Sequence, residues 1–310
     1  YVDLKKEMTV KQALEHIKET GVDKETVDTC YVLNENRILE GIIPIRKLIL
    51  SDETTAVKDI METDFVYVNT HDDQEKMASL FKKYDLISMP VVDNERRLVG
   101  IVTIDDVVDI IDQENTEDFQ KMAAMHPSDE EYLKTSPLVL AKNRITWLLI
   151  LMISATFTGK IIIKFNEVLQ SVVVLASFIP MLMDTGGNSG SQSSTLIIRG
   201  LALGEIKTSD ILKVLWKEIQ VSVIVGVTLS SLNFVRIFVL EKIDFYVSLT
   251  VCITLFFTII LAKIIGCSLP IVAKKLRLDP AIMASPLITT IVDAISLMIY
   301  FTAATWILHI

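Results

Sequence analysis

The chain has 310 residues, 51% of them apolar and 22% charged, with a formal net charge of −9, and its two halves share these properties unequally. Residues 1–146 carry 18 Lys and Arg against 30 Asp and Glu, whereas residues 147–310 carry 12 against 9 and contain apolar runs such as residues 145–163, long enough to cross about 30 Å of hydrocarbon. An acidic soluble head on a membrane-embedded half excludes nucleic acid as a partner, and three scattered cysteines (Cys30, Cys252, Cys267) exclude a disulfide framework or a thiolate metal site.

No HExxH pattern occurs, and the four histidines lie outside the cores of the apolar runs, so an intramembrane metalloprotease lacks its ligands. No secretory signal precedes the head and the chain opens at Tyr1 without an initiator methionine, so a fragment of a longer protein is expected.

In chain order, the head reads as one unit used twice. Amphipathic helices are predicted over residues 10–20 and 74–84. Each precedes a strand, polar turn, strand and helix start, over residues 31–49 (YVLNENRILEGIIPIRKLI) and 90–108 (PVVDNERRLVGIVTIDDVV), which superpose with Gly41 on Gly100. This tandem pattern resembles a pair of CBS domains, and Gly100-Ile-Val-Thr103-Ile-Asp-Asp106 resembles their ribose-binding turn. The resemblance implies an adenine nucleotide such as ATP, with Thr103 donating to phosphate and Asp106 accepting from sugar hydroxyls. The first copy has Pro44 and Lys47 at the matching positions, so at most one nucleotide site is expected. Helix capping by Thr103 and Asp106 is the alternative, and compatible, reading.

Residues 105–118 (DDVVDIIDQENTED) hold seven carboxylates and no base: Asp105, Asp106, Asp109, Asp112, Glu114, Glu117 and Asp118. Such a run is commonly a solvated face. Here Asp105, Asp109 and Asp112 recur at helical spacing, which sets like charges side by side unless cations neutralise them. Asp72, Asp73 and Glu75 form a second acidic group at the start of the other helix. Oxygen-only ligands favour Mg²⁺ or Ca²⁺ over zinc or copper, so these residues are the candidate cytoplasmic cation sensor. Residues 119–144 follow as a connecting element, in which residues 129–144 read either as an amphipathic helix lying along the membrane face or as a simple linker.

Five spans are predicted, over residues 145–163, 168–204, 211–240, 245–272 and 281–308. The second is too long for one straight crossing, and a break is expected at its polar, glycine-rich middle, Asp184-Thr-Gly-Gly-Asn-Ser-Gly-Ser-Gln192. Five spans place Lys142, Arg144, Lys207, Lys213, Lys217, Lys274, Lys275 and Arg277 on the side of the head, and the positive-inside rule then makes the head cytoplasmic in a multi-pass cell-membrane protein. In the last span Asp293 interrupts an apolar helix at an insertion cost of about 2.5–3.5 kcal/mol. Ser285, Thr289, Ser296 and Tyr300 share its stripe. Asp293 is therefore read as a pore carboxylate lined by Ser285, Thr289 and Ser296, doubled across a twofold axis; a structural ion pair with Lys263 or Arg199 is the alternative.

The segment Pro180-Met-Leu-Met-Asp184-Thr-Gly186-Gly187-Asn188-Ser-Gly-Ser-Gln192, the stretch from Leu278-Asp-Pro280 to Pro286-Leu, and Thr289-Thr-Ile-Val-Asp293 resemble the MgtE family of magnesium channels, and with the paired repeats the likeness covers nearly the whole chain. The resemblance implies a multidomain fold, with α+β tandem CBS domains (1–62 and 63–118), a connecting plug helix (119–144) and an α-helical membrane domain of five spans (145–310). It implies a homodimer in the lipid bilayer that conducts Mg²⁺ past Asp293 and is closed by Mg²⁺ at the head, where Asp106, Asp109, Glu114, Glu117 and Asp118 match the family's sensor carboxylates. Asp184, Gly186, Gly187, Asn188 and Gln192 are expected to frame the pore. Ser285 stands where some relatives carry Asn, and the family's N-terminal helical domain lies outside this sequence. A CBS-regulated transporter of Mn²⁺ or Co²⁺ and a membrane-anchored nucleotide or cation sensor are the alternatives; an enzyme is not expected, because no nucleophile, base and orienting group converge.

Overall fold

A computed structural model describes residues 1–283 and 285–309. The chain divides into two units, Tyr1–Asn115 and Thr116–Ile310. In the first unit each repeat builds a three-stranded sheet. The first runs β1 (Val2–Leu4), α1 (Val10–Thr20), β2 (Thr29–Leu33), β3 (Leu39–Pro44), α2 (Ile45–Leu50) and α3 (Val57–Ile60). The second runs β4 (Val68–Asn69), α4 (Gln74–Tyr84), β5 (Ser88–Val92), β6 (Leu98–Thr103) and α5 (Ile104–Met122). In both sheets the outer strand is parallel to the middle one, reached by a helical crossover, and the third is antiparallel.

Local chemistry explains why the pattern repeats. Asn34 Oδ1 accepts from the backbone N–H groups of Asn36 and Ile38, and Asp93 Oδ1 accepts from those of Glu95 and Arg97. These bonds close the two turns with Arg37 and Arg96 at φ of 60° and 63°. The turns then pair with each other, Leu39 N donating to Arg96 O and Leu98 N to Arg37 O, both at 3.0 Å. Behind them Tyr31, Leu33, Leu39, Val92 and Leu98 form a core shared by both repeats, with the Tyr31 hydroxyl 3.2 Å from Ser88 Oγ.

The connection departs from the expected helix over residues 119–144. Helix α5 ends at Met122, residues 123–136 are irregular, and α6 (Pro137–Lys164) starts at Ser136-Pro137 and continues without interruption into the first apolar segment. Ser136 Oγ accepts from Val139 N, and proline at the first helical position loses no bond, so the helix starts there. Beyond α6 come α7 (Asn166–Ser171), a 3-10 segment (Val173–Phe178), α8 (Ile179–Ala202), α9 (Ile211–Val235), α10 (Phe245–Lys275) and α11 (Ser285–Leu308).

Among the described residues, four helical stretches are long and apolar enough to cross a membrane: Pro137–Lys164, Thr208–Leu240, Phe245–Lys275 and Pro280–Leu308. The remaining long helix, α8, has 24 residues and reaches about 36 Å, but it is polar. The break expected at Asp184–Gln192 does not exist; that stretch is continuous helix, and the irregular backbone lies earlier, at Val173–Phe178. The glycines and serines that read as breakers are contact residues. A Cβ at Gly186 would lie 2.7 Å from Thr258 Cγ2 and 2.9 Å from Val292 Cγ1, and one at Gly187 2.8 Å from Thr289 Cγ2. A Cβ at Gly190 would lie 2.7 Å from Ile288 Cγ2, and one at Gly266 would overlap the Gly190 carbonyl. Small residues thus bring α8 against α10 and α11 at backbone distance, the usual basis of helix association in lipid.

Gly266→Ala should therefore destabilise the membrane domain by about 1–3 kcal/mol or prevent its assembly. Gly159→Ala, where nothing lies within 4 Å of the added methyl, should be neutral or slightly stabilising. The check is the thermal midpoint and monodisperse yield of the detergent-purified protein; equal behaviour of the two variants would contradict the packing assignment.

Candidate functional site

Helix α8 has two opposed faces. At 100° per residue, buried Gly186, Gly190, Ser193 and Ile197 point into the bundle, and exposed Asp184, Asn188, Gln192, Thr195 and Arg199 form a stripe on roughly the opposite side. The five residues expected to frame the pore therefore separate: Gly186 and Gly187 hold the helix in place, while Asp184, Asn188 and Gln192 present polar groups outward. A polar stripe at membrane depth must meet water or a partner.

Helix α11 brings Asp293 to the rim of the same contact. Its neighbours Val292, Thr289 and Ser296 pack on Gly186 and Gly187. Asp293 is half-buried, and its Oδ1 is buried without a hydrogen-bond partner. The Asp184 carboxylate is close enough for its charge to act on Asp293. Ser285 Oγ lies 2.8 Å from Ser191 Oγ, and Thr289 Oγ1 donates to Ser285 O.

The expected hydroxyl stripe needs correction at its other end. Ser296 is 1% exposed and seated against α8, and the Tyr300 hydroxyl donates to Leu175 O at 2.9 Å inside the core. Neither faces the open side, because α8 covers that flank of α11. The alternative ion pair of Asp293 with Lys263 does not form. Lys263 instead lies 3.9 Å from Glu218 of α9 and 3.3 Å from Ser193 Oγ, and Ser193 donates to Glu218 Oε2 at 2.6 Å. Glu218 escaped the sequence reading; its only signal was a carboxylate two turns inside an apolar helix.

In the head, the second turn is built as the motif suggests. Thr103 N and Oγ1 both donate to Asp106 Oδ2, at 3.1 and 2.8 Å, which is capping geometry. Nothing lies within 4 Å of a Cβ placed on Gly100, whereas at Gly41 that space is filled by Met61 and Glu62. In the first repeat Lys47 pairs with Glu62 at 3.2 Å. The second repeat alone keeps the space beside its turn open.

The acidic residues divide in their roles. Asp73 caps α4 by accepting from Glu75 N. Asp72 accepts from Asn69 N and from Lys76, and these bonds hold its carboxyl below the ordinary carboxylate range. On α5, Asp105, Asp106, Asp109 and Asp112 are exposed and Glu114, Glu117 and Asp118 half-buried. Among the described residues no group of three or more His, Cys, Asp or Glu is placed to hold a metal ion within one chain. Glu117 and Asp279 share the ammonium of Lys121, with Asp279 at 2.5 Å. Burial alone would lower the Lys121 pKa, yet the hydrogen bonds to Asp279 and Glu117 prevail and raise it above the ordinary lysine value. Met122 packs on Ile198 and Ala281 beside this triad.

Paired α+β repeats ahead of a helical bundle with an unpaired intramembrane carboxylate oxygen define the class: a membrane transport protein that carries a head of paired α+β repeats. The family described as divalent cation transporters, MgtE, matches residues 179–303, and the CBS domain family matches residues 57–113. The magnesium transporter MgtE of Thermus thermophilus is 38% identical over 311 residues, spanning 100% of this chain and 68% of that protein. Its namesake in Bacillus subtilis is 36% identical over 309 residues, with 100% and 68% covered. A crystal structure of the cytosolic domain of the Mg²⁺ channel MgtE in complex with ATP aligns at 44% identity over 36% of this chain and 44% of that one, with a TM-score of 0.35. This chain belongs to the MgtE family, a family of transporters, not enzymes.

Proposed function

We propose that two copies of this chain form a Mg²⁺ channel whose ion path runs along the polar stripe of α8 and past Asp293. The observation that carries this reading is the buried, unpartnered Oδ1 of Asp293 on a membrane helix: a carboxylate kept there without a counter-ion has a cation as its natural partner. Two protomers related by a twofold axis would supply two such carboxylates, together with Asp184 and Asn188, and match a divalent charge. Mg²⁺ sheds water reluctantly, so carboxylate and amide oxygens on an open stripe suit a hydrated ion better than a closed cage. The names of the relatives that span the chain agree with Mg²⁺ as the cargo.

The head, placed on the cytoplasmic side by the excess of Lys and Arg at its end of the helices, is the sensor. Its ligand set is the carboxylate oxygens of α5 with those of Asp72, Asp73 and Glu75, completed by the second copy, since the described residues of one chain gather no such group. Two carboxylates about 6 Å apart at an effective dielectric near 20 repel by roughly 3 kcal/mol before screening. Mg²⁺ removes that repulsion, and the compact head then closes the pore. ATP or a related nucleotide occupies the second repeat, where the turn of Thr103 and Asp106 borders open space at Gly100.

Asp293→Asn should reduce Mg²⁺ flux in liposomes to background while folded dimer yield holds or rises, because the desolvation cost of the charge disappears. Wild-type flux in folded variant protein would remove Asp293 from the path, and competition by Mn²⁺ and Co²⁺ in the same assay reads selectivity. Joint replacement of Asp106, Asp109, Glu114, Glu117 and Asp118 by Asn or Gln should abolish the dependence of open probability on cytosolic Mg²⁺; an unchanged titration would make the acidic run a solvated face. For the nucleotide, calorimetry should register binding that weakens with Thr103→Ala or Asp106→Ala and is indifferent to Pro44→Ala. Absence of heat at millimolar nucleotide would leave those residues as helix caps.

A further inference from the structure

We infer that Ser193, Glu218 and Lys263 form a clamp that fixes the rotation of α8 and so keeps its polar stripe turned toward the ion path; the inference rests on the permeation reading above. The three side chains come from α8, α9 and α10. Lys263 is 5% exposed, and its ammonium reaches Ser193 Oγ at 3.3 Å and Glu218 Oε2 at 3.9 Å, while Ser193 donates to Glu218 at 2.6 Å. Charges at this depth are retained where they pair with one another or face water.

The cluster sits one turn along α8 from Gly190, whose carbonyl fills the space of a side chain at Gly266. Backbone contact there sets how closely α8 and α10 approach, but glycine surfaces are smooth and allow one helix to roll on the other. The directional bonds at Ser193 prevent that roll. A turn of one residue, 100°, would carry Ser193 away from both partners and take Asp184, Asn188 and Gln192 off their side of the bundle. Ser193, Glu218 and Lys263 are thus positioning residues, and none of them touches the proposed path.

The test uses the full chain with Cys30, Cys252 and Cys267 replaced by alanine and Gln192→Cys added as a reporter on the stripe. A membrane-impermeant thiol reagent should label this protein readily. Glu218→Gln, Lys263→Met or Ser193→Ala, added singly, should slow labelling by roughly tenfold or more, the scale of a lost hydrogen bond to a charged group. In the same variants without the reporter, Mg²⁺ flux per folded protein should fall in parallel. The exchanged pair, Glu218→Lys with Lys263→Glu, should recover both readouts. Ser193→Ala keeps both charges and the close packing, so it serves where the charge variants fail to fold.

Labelling unchanged by all clamp variants would overturn the clamp and leave the permeation reading standing. A reporter that is unreactive even with the clamp intact would show that the stripe does not face water, and both would fall.

Discussion

The membrane unit depends on one contact, the meeting of α8 and α10 at Gly190 and Gly266, where no room remains for a methyl group. That approach dictates the composition of α8. One face must be small, and Gly186, Gly187, Gly190 and Ser193 supply it; the polar residues are then left on the opposite side, in a helix too polar to be stable in lipid alone. Packing on α10 and α11 compensates for what hydropathy withholds. The same small face accepts Val292, Thr289 and Ser296, so the contact that admits α8 also fixes where Asp293 emerges at the rim.

Two buried charge arrangements in this bundle make opposite uses of the same physics. Lys263 and Glu218 neutralise each other, with Ser193 completing the hydrogen bonding, and such a cluster holds helices together. Asp293 is left with an oxygen that no protein group satisfies, and Asp184 adds a second negative charge nearby. A paired charge belongs to the scaffold, whereas an unpaired one is tolerable only where a mobile cation or water arrives. The ion pair with Lys263 that the sequence offered as the alternative for Asp293 does not form, and Glu218 takes the lysine instead.

How much could be read from the sequence follows from the range of each interaction. The head was legible because its signals are local: the amphipathic helices over 10–20 and 74–84, and the turns whose Asn34 and Asp93 side chains close on residues two and four positions away. Asp293 was legible because a carboxylate in an apolar helix is anomalous wherever it packs. The continuity of α8 was not, because glycine and serine break helices in water but join them in lipid; telling the two apart requires knowing that α10 and α11 lie alongside. Glu218 was missed for a related reason. Its partners, Ser193 and Lys263, are 25 and 45 residues away on other helices, and nothing local in the sequence points to either.

The end of α5 shows how weakly held a junction near the membrane helices can be. Lys121 is shared by Glu117 of its own helix and Asp279, which also accepts from Ala281 N at the start of the last hairpin, while Met122 wedges between Ile198 and Ala281. Hydrogen bonds to charged groups are worth about 1.5–3 kcal/mol when sheltered. The side chains here are 21–39% exposed, so screening reduces that figure toward the range of surface pairs. An interaction of this size is too small to lock a conformation and large enough to bias one by about tenfold. With one ammonium between two carboxylates, the triad keeps a net charge of −1. Lys121 thereby ties the end of α5 to Asp279, which precedes α11, the helix that carries Asp293.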